Sequence, residues 1–568
     1  MLKKIIMKAI NKIIIIGLFA FFFVGCNDLM DYDENTDYTK EQTFSSLYRV
    51  QCFVSSIYMR LESGLSGYNS GGVLASACDE AQIAWSSSNV NYFFNGAWSS
   101  LNTLTGTWSN SYAGIRAANY YLEHWNDYGF EKFSLNKDYN DQKERLSYYE
   151  YEVRFLRAYF YFNLVKTYGD VPLVTKVLTD EEANNVTRAP YSEVFDYIVS
   201  QCDSIADKLP YTYANLPYAE TGRVTKLAVL ALKARTLLYA ASPLFNTSGD
   251  KSLWKKAAIA SKELIEEATA NGCSLGNYTD LWGADNYKAK EVILAKRLGD
   301  TNQFEYNNFP KGVEGGYSGN CPSQTLVDAY RMKETGKLWN EDGSGYDAAN
   351  PYAGRDPRFE MTIAHNGTTN WPAYNENPIE TFEGGLNGLP IAGATNTGYY
   401  LKKYCDGSID LRPGKVNKKK HAWVIFRLGE FYLNYAEAMY CYLGDPDATE
   451  GDLNMSARDA INVIRNRSDV KMSLLETGLG DSFETIYRNE RMVEMAFEDQ
   501  RFWDVRRWKI GDTQKNINVM SITKENGILT YTRKIVQRSW DDKMYFFPIP
   551  DSEIRKNPNL KQNLGWTL

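Results

Sequence analysis

Histidine is scarce in this chain of 568 residues, which contains only His124, His365 and His421, far apart in the sequence. A metal site or catalytic triad built on histidine is therefore not expected. The sequence also lacks a phosphate loop, a dinucleotide fingerprint, a G-x-S-x-G nucleophile elbow and an H-E-x-x-H helix. These absences leave no recognisable catalytic motif, and the sequence predicts a protein that is not an enzyme and holds no cofactor.

Basic residues are not in excess. The chain has 63 lysines and arginines against 70 aspartates and glutamates, for a formal net charge of −7. Removal of the N-terminal segment, which carries Lys3, Lys4, Lys8 and Lys12 and no acid, would give −7 − 4 = −11. Because neutralising phosphates requires a basic face, the chain is not expected to bind nucleic acid.

The eight cysteines show no C-x-x-C spacing, so the sequence predicts no zinc site, no other metal site and no redox motif. Cys26 stands apart at the end of an apolar run. Seven others cannot all pair within one chain, so at least one should be a buried free thiol. These seven are Cys52, Cys78, Cys202, Cys273, Cys321, Cys405 and Cys441.

The N-terminus has a basic start followed by an apolar run over residues 13–24, which is too short to span a bilayer. Residues 1–25 are therefore predicted to be a signal peptide. The tetrad Phe23-Val24-Gly25-Cys26 resembles a lipoprotein signal-peptidase site, which would make Cys26 the lipidated N-terminus and anchor the protein to a membrane. The alternative is an ordinary cleaved signal with a chance cysteine. The acidic, polar stretch that follows is predicted to be a tether, over residues 26–43.

Aromatic residues are abundant, at 14% of the chain, with 41 tyrosines, 26 phenylalanines and 13 tryptophans. Such a composition is typical of a protein that presents flat amphipathic rings to a ligand. Residues 71–109 are rich in serine, asparagine and glycine and carry several rings, which predicts a loop region. Its rings are Trp85, Tyr92, Phe93, Phe94 and Trp98.

Helical periodicity dominates two parts of the chain, residues 44–271 and 423–568. Ser192 and Thr225 are candidate N-caps. The predicted helices cover residues 108–125, 148–168, 192–209, 225–241, 254–268, 425–443 and 454–467. Amphipathic helices that cannot bury their apolar faces alone should pack in antiparallel pairs, so we predict a mainly α fold with a TPR-like paired-helix scaffold.

Residues 272–422 interrupt this pattern. They are rich in glycine, asparagine, proline and tyrosine, with one strand-like run at 291–295. An irregular stretch of this length is usually functional. We expect this loop-rich region to carry the binding face.

Residues 488–511 read R-N-E-R-M-V-E-M-A-F-E-D-Q-R-F-W-D-V-R-R-W-K-I-G. Their apolar residues recur at roughly helical spacing, which predicts one long helix ending near Gly511. The interspersed acids and arginines should pair as Arg–carboxylate contacts. We favour a structural ion-pair network over a catalytic site, because such networks perturb charges as readily as active sites do.

Residues 490–508, with the pattern E-R-x-x-E-x-A-F-E-x-x-R-x-W-D-x-R-R-W, resemble the signature of the SusD/RagB family of surface lipoproteins, which capture nutrient polymers for an outer-membrane transporter. Residues 154–174, 545–550 and 557–566 resemble the family as well. The resemblance implies a single SusD-like domain, a lipid anchor in the outer membrane with exposure at the cell surface, and a SusC-like TonB-dependent transporter as partner.

The resemblance also directs attention to the loop after the acidic pair Asp79-Glu80. Trp85 is our first choice for a platform on which a sugar ring stacks, with Asn89 and Asn91 as neighbouring hydrogen-bonding residues. Tyr306, Tyr317 and Trp371 are weaker choices from the loop-rich region. Sugars have C–H-rich faces that lie flat on aromatic rings and hydroxyl rims that bind polar side chains.

We therefore expect a glycan-binding lipoprotein that delivers oligosaccharide or polysaccharide to the transporter. One alternative is a RagB-like protein that captures peptides in an extended groove. Another is a surface glycoside hydrolase, which would need two carboxylates at a set separation. The sequence does not specify the glycan.

Overall fold

The computed structural model describes residues 38–66, 71–214 and 221–567. The predicted signal peptide, the predicted lipidation of Cys26 and most of the predicted tether lie outside the described residues. Within those three ranges, no helix is both long enough and apolar enough to cross a membrane. All seven cysteines of the described part are free thiols, and five of them are buried, as expected.

The N-terminal part is mainly helical. Its elements are α1 (Lys40–Phe44), α2 (Leu47–Tyr58), β1 (Ala81–Ile83), α3 (Thr107–His124), α4 (Tyr139–Tyr168), α5 (Asp180–Ala183), α6 (Tyr191–Ile205), α7 (Lys226–Ala241) and α8 (Lys251–Ala270). The predicted cap of α7 is confirmed, since the Thr225 hydroxyl accepts a hydrogen bond from the N–H of Ala228. The predicted cap at Ser192 is wrong, because α6 begins at Tyr191 and Pro190 occupies the N-cap position.

The helices pack against one another in series: α3 on α4, α4 on α6, α6 on α7 and α7 on α8. Helix α4 lies at the centre, and every residue from Phe155 to Tyr168 is buried. It ends at Gly169, whose φ of 71° is a conformation that glycine adopts without steric cost. The predicted mainly helical fold of paired helices is thereby confirmed.

The loop-rich region and its C-terminal border contain only short elements apart from two strands, β2 (Val292–Thr301) and β6 (Lys419–Arg427). The short elements are α9 (Gln303–Asn308), β3 (Asn320–Pro322), α10 (Gln324–Ala329), α11 (Arg358–Thr362), β4 (Ile363–Ala364) and β5 (Tyr400–Leu401). Strands β2 and β6 pair antiparallel, with Ala295 opposite Val424 and Thr301 opposite Lys419. Strands β1 and β3 also pair antiparallel, as do β4 and β5. The strand predicted at 291–295 is present and extends to Thr301.

The C-terminal part returns to helices and adds a hairpin. Its elements are α12 (Leu428–Leu443), α13 (Ala457–Arg465), α14 (Phe483–Glu494), α15 (Gln500–Arg507), β7 (Asn516–Glu525), β8 (Ile528–Gln537) and α16 (Asp551–Lys556). Helix α12 packs on both α8 and α13, which joins this part to the N-terminal helices. The predicted start of α12 at residue 425 is wrong, since residues 425–427 belong to β6. The hairpin was not predicted, although the Asn526-Gly527 pair at its turn is a hairpin signal.

The single long helix predicted over residues 488–511 is also wrong. The chain leaves helical geometry between α14 and α15, where Phe497 and Asp499 each have a φ of 60°. The break redirects the chain, so that Arg501 at the start of α15 pairs with Asp79, with nitrogen and oxygen 2.7 Å apart. The spacing of the apolar residues does not reveal such a break, because it continues across the turn.

The predicted pairing of the acids and arginines is confirmed. The fully buried carboxylate of Glu494 contacts Arg427 at 2.9 Å, Arg467 at 2.8 Å and Arg358 at 2.8 Å. Burial alone would raise the pKa of Glu494, but the three guanidinium groups hold that pKa well below its usual range. The carboxylate is already saturated with arginine contacts. It links the loop-rich region to the C-terminal helices. This is the role of a structural ion-pair network, which we favoured over a catalytic site.

Candidate functional site

The pairing of β1 with β3 places the loop that carries Trp85 beside the loop that carries Tyr317. Ile83 lies opposite Asn320 in this pairing. One residue further on, the N–H of Ala84 donates to the carbonyl oxygen of Gly319 at 2.8 Å. Two segments that are more than 200 residues apart in the sequence thus form one surface.

Trp85 is half-buried, and its indole N–H donates to the carbonyl oxygen of Tyr317 at 2.7 Å. The indole approaches the backbone of Gly319 closely. A Cβ at position 319 would lie 3.3 Å from the indole and only 2.6 Å from the carbonyl oxygen of Asn307, so glycine is required there. In this arrangement the indole supports the backbone of the Tyr317 loop.

The rings of Tyr306 and Tyr317 stack on each other, with centroids 4.6 Å apart and ring planes inclined at 28°. Tyr306 lies on α9 and is 38% exposed, while Tyr317 is 44% exposed. A hydrogen bond with the side chain of Tyr317 raises the pKa of Tyr306 above its usual value. We call these two residues the tyrosine pair. Stacking covers one face of each ring, so their exposed area lies on the outer ring faces, the ring edges and the hydroxyl groups.

Lys311 adds a positive charge to the tyrosine pair, since its Nζ lies 4.5 Å from the centroid of the Tyr317 ring. Its main-chain N–H donates to the hydroxyl of Ser318 at 2.9 Å, which closes the loop between the two residues. Sequence reasoning missed Lys311. The feature that could have indicated Lys311 as a site residue is its position in the same glycine-rich loop as Tyr317.

Asn91 folds the Trp85 loop rather than pointing its amide group away from it. The Asn91 Nδ2 donates to the carbonyl oxygens of Trp85 and Ser86, at 3.0 and 3.1 Å. Asn89 is exposed and begins a short 3₁₀ turn over Asn89–Phe93, which is capped by Ser88. The ligand-binding roles of both asparagines stay predictions.

Trp371 lies beneath the Tyr317 loop. Its half-buried ring packs edge-on against Phe309, with centroids 5.7 Å apart. The carbonyl oxygen of Phe309 accepts from the N–H of Ser318 at 2.9 Å, so Phe309 connects Trp371 to the residue that follows Tyr317. Nearby, the hydroxyl of Tyr374 donates to the carbonyl oxygen of Glu314 at 2.6 Å. The structure thus assembles Trp85, Tyr306 and Tyr317 at one surface, with Trp371 on its inner side.

Helix α9, which carries Tyr306, is held from below by a buried pair. The carboxylate of Glu305 lies 2.7 Å from Nε2 of His421 on β6 and also accepts from the N–H of Asp406 at 2.8 Å. Burial alone would lower the pKa of His421, but the hydrogen bond with Glu305 raises it above the usual value. This buried contact links α9, which carries Tyr306, to β6.

Two family models match the chain. One is described as the SusD family and matches residues 290–566, and the other is described as "Starch-binding associating with outer membrane" and matches residues 31–238. Among curated proteins, SusD-like protein P25 of Formosa agariphila is 23% identical over 98% of each chain.

Solved structures share the fold. A SusD-like protein from Bacteroides fragilis NCTC 9343 is 26% identical, with a TM-score of 0.74 over 92% of this chain and 98% of that one. A SusD-like carbohydrate-binding protein from the same strain is 24% identical, with a TM-score of 0.73 over 91% of this chain and 100% of that one.

Proposed function

This chain belongs to the SusD/RagB family, and from that premise we propose that it captures a glycan by stacking a sugar ring on the tyrosine pair. The observation that carries the proposal is the exposure of two stacked rings, at 38% and 44%, in a protein that buries most of its large apolar side chains. A sugar covers such rings with its C–H face, while its hydroxyl groups bond to the tyrosine hydroxyls and to Lys311.

In this proposal the site binds the glycan without hydrolysing it. The carboxylate of Glu494, in the network of buried acids and arginines, is buried and paired with arginines. Affinity for one chain should be modest, because two open rings must offset the loss of ligand freedom. A relative in the family is described as a carbohydrate-binding protein, which agrees with this function.

The finer assignment follows the family. Cys26 is lipidated and anchors the protein in the outer membrane, with the body exposed at the cell surface. The helical parts, 44–271 and 423–568, form the scaffold of one domain, and residues 272–422 carry the binding face. The captured glycan passes to a SusC-like TonB-dependent transporter. The description of one matching family model, which mentions the outer membrane, supports the location.

Affinity electrophoresis against a polysaccharide panel tests the proposal. The native protein should be retarded by at least one polysaccharide, and the Tyr306→Ala/Tyr317→Ala variant should not. A Tyr48→Ala variant serves as the control, because Tyr48 is 73% exposed on α2, outside the tyrosine pair. Equal retardation of native and double-variant protein would exclude the tyrosine pair from the site.

The purified native protein also distinguishes glycan binding from the two alternatives, peptide capture and glycoside hydrolysis. Peptides recovered with the purified protein and identified by mass spectrometry, together with an absence of glycan binding, would support peptide capture instead. Release of reducing sugar from the retarding polysaccharide would identify a glycoside hydrolase and contradict the non-catalytic assignment.

A further inference from the structure

A basic loop interrupts an acidic protein. Residues 411–420 read L-R-P-G-K-V-N-K-K-K, with five positive charges and no acid. Since the whole chain carries −7, the rest of it carries −7 − 5 = −12. We call this segment, whose last two residues begin β6, the basic loop. Asp406 and Asp410 precede this segment, so residues 406–420 together carry 5 − 2 = +3, which still gives a positive potential on a negative surface.

Three lysines of the basic loop are available to a ligand. Arg412 is paired with Asp410 at 2.6 Å, and Lys419 is paired with Asp406 at 3.2 Å. Lys415, Lys418 and Lys420 are exposed, and within the described ranges none of them has a carboxylate oxygen within 4 Å, although Lys420 lies opposite Asp300 in the β2–β6 pairing.

The basic loop is held in a defined conformation. The N–H of Asp410 donates to Oδ1 of Asn417 at 2.8 Å, and the N–H of Asn417 donates back to the carbonyl oxygen of Asp410 at 3.2 Å. These reciprocal bonds close the loop at its base. A ligand that binds it therefore has less backbone freedom to remove.

Asn302 joins the basic loop to the tyrosine pair. Its Nδ2 donates to the carbonyl oxygen of Asn417 at 2.9 Å, and its own carbonyl oxygen accepts from the N–H of Tyr306 at 2.9 Å. Thr301, one residue earlier, lies opposite Lys419 in the β2–β6 pairing. The basic loop thus adjoins the start of α9, on the Tyr306 side of the pair.

The other side of the tyrosine pair is also positive, because Lys311 lies over the Tyr317 ring. One carboxylate, Glu314, is exposed in that loop. A polymer that binds at the rings and at the start of α9 would therefore lie near both Lys311 and the basic loop. A neutral glycan would gain little from the exposed lysines of the basic loop.

We propose that the glycan is anionic: its carboxylate or sulfate groups contact Lys415, Lys418 and Lys420 while a ring stacks on the tyrosine pair. This inference rests on the proposed function and names the ligand class of the same site. Attraction between exposed charges is screened by salt, with a screening length of about 10 Å at 0.1 M, so binding should weaken as salt rises.

The test is affinity electrophoresis and calorimetry on the mature full-length protein. The ligands are neutral polysaccharides (starch, laminarin), carboxylated ones (polygalacturonate, alginate) and sulfated ones (dextran sulfate, chondroitin sulfate). The variant is Lys415→Gln/Lys418→Gln/Lys420→Gln. The matched control is Lys132→Gln/Lys137→Gln/Lys143→Gln, which removes three charges from exposed residues at the start of α4 and just before it.

We expect at least one anionic polysaccharide to bind more tightly than the neutral ones. The loop variant should lose about tenfold in affinity for it, and the control less than about twofold. Raising NaCl from about 0.05 to 0.5 M should weaken anionic binding while leaving any neutral binding nearly unchanged. The carboxylated and sulfated arms identify which anion is recognised.

Binding of neutral polysaccharide alone would overturn this inference and leave glycan capture intact, whereas no binding to any polysaccharide would overturn both. Equal binding of polyacrylate, a polyanion without sugar rings, would also overturn it, because charge alone would then suffice. If circular dichroism shows that the triple variant does not fold, the single variant Lys418→Gln and the salt series are measured instead. The same outcomes then support or overturn the inference.

Discussion

The Tyr306 ring stacks on the Tyr317 ring with the centroids 4.6 Å apart. Tyr306 follows β2, which pairs with β6, and Tyr317 precedes β3, which pairs with β1. The exposed rings therefore meet only because two separate strand pairings hold their loops. The strand pairings therefore determine the site, in which Tyr306 lies on the short helix α9 while Trp85 and Tyr317 lie in loops.

Removing either ring should weaken glycan binding and only slightly destabilise the fold. Tyr306→Ala and Tyr317→Ala should each reduce affinity by about two- to tenfold, since an aromatic contact contributes about 0.5–1.5 kcal/mol beyond its buried area. The free energy of unfolding should fall by only about 0.5–1.5 kcal/mol, because each variant loses the stacking contact between two rings that are 38% and 44% exposed. Calorimetry and urea unfolding measure the two quantities. A large loss of stability would mean that the rings act as structural residues.

Trp85 should act by holding Tyr317 in place. Trp85→Phe keeps a ring but removes the hydrogen bond to the Tyr317 carbonyl oxygen, and should destabilise the protein by about 1 kcal/mol. Trp85→Ala removes the half-buried ring as well and should cost about 2–4 kcal/mol.

A double-mutant cycle separates support from direct stacking. If Trp85 acts through Tyr317, Trp85→Phe should weaken binding in the native background and have little further effect in the Tyr317→Ala background. Additive losses in affinity would instead show that the indole contacts the glycan itself, as the sequence analysis predicts.

Glu494 should be essential for stability. Glu494→Gln removes the negative charge that Arg358, Arg427 and Arg467 share. Each arginine keeps another carboxylate partner, but the buried network loses one negative charge. We expect a loss of about 3–5 kcal/mol in the free energy of unfolding, measured by chemical denaturation. The control is Glu450→Gln, which breaks the exposed pair with Lys255 and should cost less than about 1 kcal/mol. Equal losses would contradict a structural role for the buried network.

Asp499 should make the fold less stable as pH rises. It lines a cavity of about 40 Å³ with Glu62, Lys166 and Glu498. Burial, and to a smaller extent the Glu62 carboxylate, raises the pKa of Asp499 to about 7. Lys166 acts in the opposite direction and lowers that pKa. Between the unfolded pKa near 4 and this folded value, the folded state binds more protons than the unfolded state. The stabilisation is therefore complete below about pH 4 and is lost by about pH 7.

The Asp499→Asn variant tests whether titration of Asp499 makes the protein less stable as pH rises. Asparagine tolerates the left-handed conformation at this position, where φ is 60°, and carries no charge. The variant should exceed native protein in stability by about 1–3 kcal/mol at pH 8, and by less at pH 5. Urea unfolding at both pH values measures the difference, with the exposed Asp512→Asn as control. A difference independent of pH would refute the titration of Asp499.

Much of the scaffold follows from local sequence. Residues 148–168 of α4 are aromatic on almost every side, which predicts a fully surrounded helix, and Gly169 terminates it. Thr225 caps α7 through its own hydroxyl. The charges of residues 490–508 had to pair because they share helices with buried aromatic rings. Patterns of this kind depend on a few neighbouring residues and can be recognised without coordinates.

Other features depend on contacts between distant residues. The break between α14 and α15 is set by where Arg501 meets Asp79, a residue more than 400 positions earlier. Trp85, Tyr306 and Tyr317 were chosen separately, and their convergence depends on the β1–β3 and β2–β6 pairings. No local pattern encodes the partner of a short strand, because many segments can supply the same backbone hydrogen bonds.

The amino-acid sequence by itself determined the helical class, the ring-rich loops and the pairing of buried charges, because spacing and burial impose these within a helix or loop. Only the tertiary structure decided which rings share one surface, and that the basic loop adjoins Tyr306 through Asn302. The physical reason is that long-range contacts are selected by the packing of the whole chain, and a stretch of sequence carries no information about a partner that it does not contain.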